Sequence, residues 1–384
     1  MALRIFSVLN ARGLPLHAID VFKVELLKKL AKAKDQEEFV SRWNALRQKC
    51  SENESKFPKR KENKREKNAA EILFSWYLTY LHPVTSGKSM EERLADQFER
   101  LNKTPLEYLK GVEDFYNAYC EVLEMQDRYA YLLSYKDDDY LCVILCASLL
   151  HRYSQSEVEA LKELLVKFYY QDWVAGNTRT TRSQTCCNII NALKEKKSVE
   201  DIASIVKKYL DDKNITQHFK ENLQDSNLYT KFYLINGETP KKNSWLKPIL
   251  ILVEYFISDD PKPKRIQMDE NLHVEHILPQ NPNLSSQWAK DFSEEERERC
   301  THSLANLTLL GGKINSQASN LDFKDKKKIY MGEEIRSSKK GPFKVMTCYK
   351  MTIDIAHHYT EWTPKSLEKR EKDLMSIIES VLTL

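Results

Sequence analysis

The segment HVEHILPQNPN, residues 273 to 283, sets a glutamate and a histidine side by side, Glu275 and His276, at the end of a short apolar run. Two asparagines follow nine positions apart, Asn306 and Asn315. Those residue types suit metal-assisted hydrolysis of a phosphodiester. That reaction needs a base to deprotonate water and a hard cation to neutralise the charge developing on the phosphate and its leaving 3′ oxygen. It also needs a scaffold that holds both on opposite sides of one phosphate. A neutral imidazole accepts a proton near pH 7, so His276 is the candidate base. Glu275 offers a hard carboxylate oxygen that suits Mg²⁺ or Mn²⁺. The carbonyl oxygen of Asn315 is placed to complete the metal shell. Asn306 either ties the loop to the strands or orients the base through its amide.

Neighbouring residues in a strand face opposite ways, so Glu275 and His276 can share a site only where the strand ends and twists. Pro279 then opens a loop. His273 shares a strand face with Glu275 and reads either as a third ligand or as a strand histidine capped by a neighbour. His302 either steadies the loop or contacts phosphate. Lys313, Lys324, Lys326, Lys327 and Lys328 are candidates for holding a DNA backbone. Each residue alone is weak evidence. Together they give a strand ending in the base, a loop, a second strand (LTLL, after Asn306) and a helix near Asn315. That is the order of a one-metal phosphodiesterase of the HNH (ββα-metal, His-Me finger) type.

The elements that must position these groups are helical. Only 9 glycines occur in 384 residues, too few for a large turn-rich sheet protein. The length allows two or three domains. A net charge of +4 does not announce a nucleic-acid binder, so any basic footprint must be local. None of the eight cysteines forms a C-x-x-C pair, which argues against a zinc ribbon or knuckle. The longest apolar stretch, residues 141 to 150, is too short to span a bilayer. The expectation is a reducing, cytoplasmic setting without membrane contact.

Apolar spacing predicts a helix from about Pro15, after a turn at Asn10 and Gly13, and another over residues 36 to 48. The basic block KFPKRKENKREKN, residues 56 to 68, reads either as a phosphate-binding stripe or as a solvated loop. It lacks interleaved aromatics, which favours the loop. Helical stripes continue from residue 68 to 256, with helix starts expected at Pro105 and Ser156. The aromatic richness there is better explained as core than as a base-stacking platform. Arg179 and Arg182 are available for a phosphate or for ordinary surface duty. Two prolines in Asp259–Lys264 mark a boundary, giving a helical domain at 1–260 and a nuclease module with a closing helix at 261–384.

Residues 272 to 384 resemble the HNH nuclease domain of the GmrSD-type modification-dependent restriction systems. The resemblance rests on VEHILPQN, on H-x-L-A-N-L-T-L-L, on N-S-Q-A-S-N with F-K-D-K-K, and on EWTPKSLEKREKDLMSII. Thr363 and Pro364 fit the N-cap and first position of that closing helix. Ala305 stands where the family usually has glycine, which tightens the backbone and removes no catalytic group. Residues 5 to 23 resemble the tail of the family's ParB/sulfiredoxin-like NTP-hydrolysing domain, whose D-G-Q-Q-R motif is not in this sequence. The resemblance implies cleavage of double-stranded foreign or base-modified DNA in phage defence. It also implies coupling to nucleotide hydrolysis, supplied by a partner NTPase or a missing N-terminal domain. The expected fold is mainly α: a large helical N-terminal region, then a small ββα-metal module, then a C-terminal helix. The competing function is a DNA-binding or assembly subunit with a retired nuclease fold.

Overall fold

The computed structural model describes residues 18–62, 65–230, 243–258, 260, 262–333 and 345–384. The turn expected at Asn10 and Gly13, the helix start at Pro15, Lys64 of the basic block, and Asp259 and Pro261 of the proline break lie outside these residues. The fold is mainly α, as expected. Two compact units divide the chain, one of residues 1–125, 137–161 and 179–206, the other of 126–136, 162–178 and 207–384.

In the first unit the helices are α1 (Ala18–Lys28), α2 (Ala33–Glu52), α3 (Ala69–Leu81), α4 (Met90–Glu99) and α5 (Pro105–Leu123). Several starts are set by capping boxes. Asn68 and Glu71, Ser89 and Glu92, and Thr104 and Glu107 each exchange side-chain and backbone bonds, with Pro105 as the first helical residue of α5. The short helix α6 (Arg128–Ser134) belongs to the second unit. Helix α7 (Asp139–Leu150), read as DYLCVILCASLL, is apolar nearly all round and packs against α3, α5 and a later helix of its unit, α9 (Arg179–Lys194). Helix α8 (Gln155–Val174) precedes α9, and its start is tied by Ser154, whose hydroxyl accepts from the Glu157 N–H.

The aromatic residues of this unit are core: Trp43, Phe74 and Tyr108 are fully buried. The basic block contains a short antiparallel strand pair, β1 (Lys61–Glu62) with β2 (Arg65–Glu66), where the sequence suggested a loop. Its Arg60 is spent on Asp137 at 2.5 Å and on Asp139. Arg182 is buried against Asp138, and Arg179 pairs with Asp139 at 2.9 Å. Local carboxylates thus take up Arg60, Arg179 and Arg182.

The second unit carries α10 (Val199–Asp212, whose first half belongs to the first unit), α11 (Ile215–Leu223) and α12 (Leu246–Ile257). It also carries α13 (Gln287–Asp291), α14 (Glu294–Cys300), α15 (Gly312–Ala318), α16 (Phe323–Tyr330), α17 (Lys350–His358) and α18 (Pro364–Leu382). Strands β3 (Leu272–His276) and β4 (Leu307–Gly311) pair antiparallel, with Glu275 opposite Thr308 and His276 opposite Leu307. This unit is broader than residues 261–384, because α12 packs on β4, α17 and α18. Buried Glu254 of α12 accepts the Lys350 and Met351 N–H groups at 2.6 and 2.9 Å, capping α17 with negative charge where the helix dipole favours it. One apolar cluster joins Ile277, Leu278, Trp288, Ala305, Phe323 and Trp362. A second joins Leu310, Ile314, Ala318, Ile329 and Tyr330.

Helix α18 starts at Pro364 after Thr363, as expected, although the Thr363 hydroxyl meets Ser366 and makes no cap bond to the helix. Its Arg370 is buried and donates to the carbonyls of Ala305 and, at 2.8 Å, Leu307. Burial lowers the Arg370 pKa to about 10. Arg370→Ala would leave two buried carbonyls unpaired, at about 1–3 kcal/mol each. A loss of about 2–6 kcal/mol in urea unfolding followed by tryptophan fluorescence is therefore expected, with Arg370→Lys recovering only part because one ammonium cannot span both carbonyls as the planar fork does.

Candidate active site

The site is built on the β3–β4 hairpin and the two loops at its open end. Asn306 is fully buried. Its Nδ2 donates to the carbonyls of Leu278 and Thr301, both at 2.9 Å. Its Oδ1 accepts from the Leu278 N–H at 2.7 Å and from Trp362 Nε1 at 3.2 Å. A primary amide has two donors and two acceptor positions, so the side chain is saturated. Leu278 lies two residues after His276, and Thr301 lies one before His302. Asn306 therefore fixes the backbone that presents both histidines, and of the two roles expected for it the structure shows the loop tie.

His276 closes β3, as the sequence predicted. Its Nε2 lies 3.3 Å from His302 Nδ1, and its Nδ1 lies 3.2 Å from Gln280 Nε2. The Tyr229 ring meets it edge-on at 4.3 Å and lies nearly parallel to His302, at 9° and 5.8 Å. His302 is thus a ring partner of His276.

Glu275 faces the other way, towards α16. Its Oε1 accepts from Lys326 Nζ at 2.6 Å and from the Tyr330 hydroxyl at 3.1 Å. Lys326 also donates to the His276 carbonyl at 2.7 Å. Burial pushes the Glu275 carboxyl up and the Lys326 ammonium down, while each opposes the other's shift. Lys326 has no exposed side-chain surface. This corrects its expected role: a lysine enclosed in an internal ion pair does not reach a DNA backbone. Lys327 is committed to the Tyr359 carbonyl at 2.7 Å, and Lys328 faces Asp325 at 3.6 Å. Lys313 and Lys324 are exposed.

His273 packs against the start of α15. A Cβ on Gly312 would come within 3.0 Å of His273 Nε2, so the ring occupies the space that a larger residue at 312 would need. Asn315 lies one turn further along α15. Its Oδ1 is buried and has no hydrogen-bond partner among the described residues. A buried acceptor left open costs about 1–3 kcal/mol unless a ligand takes it, and an amide oxygen suits a hard cation. Among the described residues no three His, Cys, Asp or Glu side chains group as a metal site. Asn315 Oδ1 is an open oxygen, whereas Glu275 Oε1 is held by Lys326 and Tyr330.

The sequence reading gave no role to four contributors. Tyr330 follows Lys326 by four positions, one helical turn, and that spacing was a readable signal. Gln280 sits four residues after His276 in the HILPQN motif. Arg370 belongs to the W…R…L pattern of the closing helix, which marks the residue but not the carbonyls it reaches. Tyr229 is 47 residues upstream of His276, with nothing local to mark it.

Comparison with known families agrees with this architecture. Residues 188–377 match the family model described as GmrSD restriction endonucleases, C-terminal domain. Over that span the chain carries a GmrSD-type restriction endonuclease C-terminal domain, which points to a nuclease or restriction function on DNA. No curated protein matches the chain. No helix among the described residues is long and apolar enough to cross a membrane.

Lys326→Met would leave Glu275 buried beside an apolar chain and should cost about 3–5 kcal/mol in urea unfolding, with much of it recovered in the double variant Glu275→Leu/Lys326→Met. Burial also holds the His302 pKa below its usual 6.5. The folded state then binds this proton more weakly than the unfolded chain does. The His302 contribution to stability is complete above pH 6.5 and declines as pH falls through the folded pKa. The melting temperature should drop below pH 6.5 more steeply in the wild type than in His302→Phe.

Proposed function

We propose that this protein is an HNH-type, Mg²⁺- or Mn²⁺-dependent DNA endonuclease with His276 as general base. The reading rests chiefly on the setting of the His276 ring, which meets polar and aromatic partners at the end of β3 and contacts the exposed Gln280, a side chain able to swing away. Water gives a proton to the His276 imidazole as its oxygen forms a bond to phosphorus. The bond from phosphorus to the leaving 3′ oxygen breaks, and that oxygen takes a proton from solvent. Asn315, whose Oδ1 is open, and Glu275, once released from Lys326, would hold the cation, which would neutralise charge on the phosphate and the leaving oxygen. Asn306 positions the base through the backbone. Lys313 and Lys324 are the lysines free to meet the DNA backbone. The same proposal covers foreign or modified DNA as target, a cytoplasmic phage-defence setting, and nucleotide hydrolysis from a partner or a further domain.

A second reading, a DNA-binding or assembly subunit with a retired nuclease fold, is favoured by one observation. Lys326 and Tyr330 already occupy one oxygen of Glu275.

The two readings separate in a cleavage assay on plain and modified duplex DNA, with Mg²⁺ or Mn²⁺ and with or without nucleotide. Wild-type protein should nick or cut, and His276→Ala should be slower by about 10²–10⁴-fold. Equal rates for the two proteins would remove His276 as base. Binding without cleavage under every condition would establish the second reading.

A further inference from the structure

We propose that His302 is a positioning residue for His276: it accepts the His276 Nε2 proton at its Nδ1 and so makes Nδ1 of His276 the nitrogen that takes the proton from water. The inference rests on the reading of His276 as base. Three observations carry it. First, His276 Nδ1 lies 3.2 Å from the Gln280 amide nitrogen, and an amide nitrogen only donates. The His276 nitrogen facing it is therefore an acceptor, which places the neutral ring's proton on Nε2. Second, Nε2 lies 3.3 Å from His302 Nδ1, so His302 receives that proton's hydrogen bond and carries its own proton on Nε2. Third, His302 is held in place. Its ring stacks on Tyr229, and its carbonyl accepts the Tyr229 N–H at 3.3 Å. The bond tying Asn306 to the Thr301 carbonyl fixes the backbone just before it.

The chemical consequence follows from charge. When His276 takes a proton at Nδ1 it becomes an imidazolium, and the bond from its Nε2–H to His302 becomes charge-assisted. That bond strengthens as the reaction proceeds and is aimed before it begins, so it favours the transition state over the resting enzyme. Gln280, exposed and bound to the reactive nitrogen, fills the place that the attacking water takes once DNA is seated.

The test compares the wild type with His302→Phe, which keeps an aromatic ring on Tyr229 but cannot accept, and His302→Asn, whose amide oxygen can. Long-range ¹H–¹⁵N NMR on the full chain reads the His276 tautomer without any need for cleavage. The wild type should show the proton on Nε2. His302→Phe should lose that preference and lower kcat by about 10- to 100-fold at unchanged KM for DNA, and His302→Asn should recover most of both. The inference falls if the wild-type proton sits on Nδ1, or if His302→Phe keeps the tautomer. It falls equally if His302→Phe raises KM at constant kcat, as a phosphate contact would. Wild-type protein that never cleaves DNA would undo the nuclease reading, and the NMR result would still decide the role of His302.

Discussion

The site depends on one saturated amide. Asn306 uses all four of its hydrogen-bonding positions inside the protein, and each joins segments that would otherwise be independent: Leu278 after β3, Thr301 before the 3₁₀ turn that leads into β4, and Trp362 ahead of the last helix. In a buried setting an unpaired member of such a set costs more than a paired one contributes, so the network is held together or lost together. Aspartate has the same shape but no donors when ionised, and leucine has the volume but neither donors nor acceptors. Arg370 reinforces the same spot by taking the carbonyls on either side of Asn306, those of Ala305 and Leu307. With its carbonyl so engaged, Ala305 turns its methyl into the Ile277, Leu278 and Trp362 cluster. The tightening expected from alanine in place of glycine is accommodated as packing.

A second constraint lies on the opposite face of the strand end. Lys326 bonds both the Glu275 carboxylate and the His276 carbonyl, so one ammonium grips consecutive residues of β3 from α16. Burying both charges costs several kcal/mol per ion before their attraction offsets it. A pair of well-packed apolar residues would hold the helix at least as well, so stability alone does not account for the pair. What it adds is register. A strand that slipped by one residue would send Glu275 to the histidine side and His276 into the helix contact, breaking both hydrogen bonds from Lys326. The alternation of Glu275 and His276 across the strand is thereby locked at the position where the candidate base must emerge.

Much of this was legible in the sequence, and what was not has a physical reason. The two strands, the helical bulk, the helix start at Pro105 and the place of His276 all follow from local rules: apolar period, helix-start chemistry and strand alternation. The role of Asn306 was half legible, because its type announced a tie but not which backbone groups it would reach. Lys326 was misassigned because charge alone sends a lysine to the surface. Only its spacing to Phe323, Ile329 and Tyr330, all buried on the same helix, shows that position 326 turns inward. Tyr229 was out of reach for a different reason. A contact between residues 47 apart leaves no periodic trace, since nothing in the geometry of either segment encodes the other's approach. The same holds for Arg370 and the two carbonyls it spans, which are backbone groups and carry no sequence identity at all. Local order reveals which residues can do chemistry, whereas the partners that orient them arrive through long-range packing, and it is those partners that separate a working imidazole from a buried one.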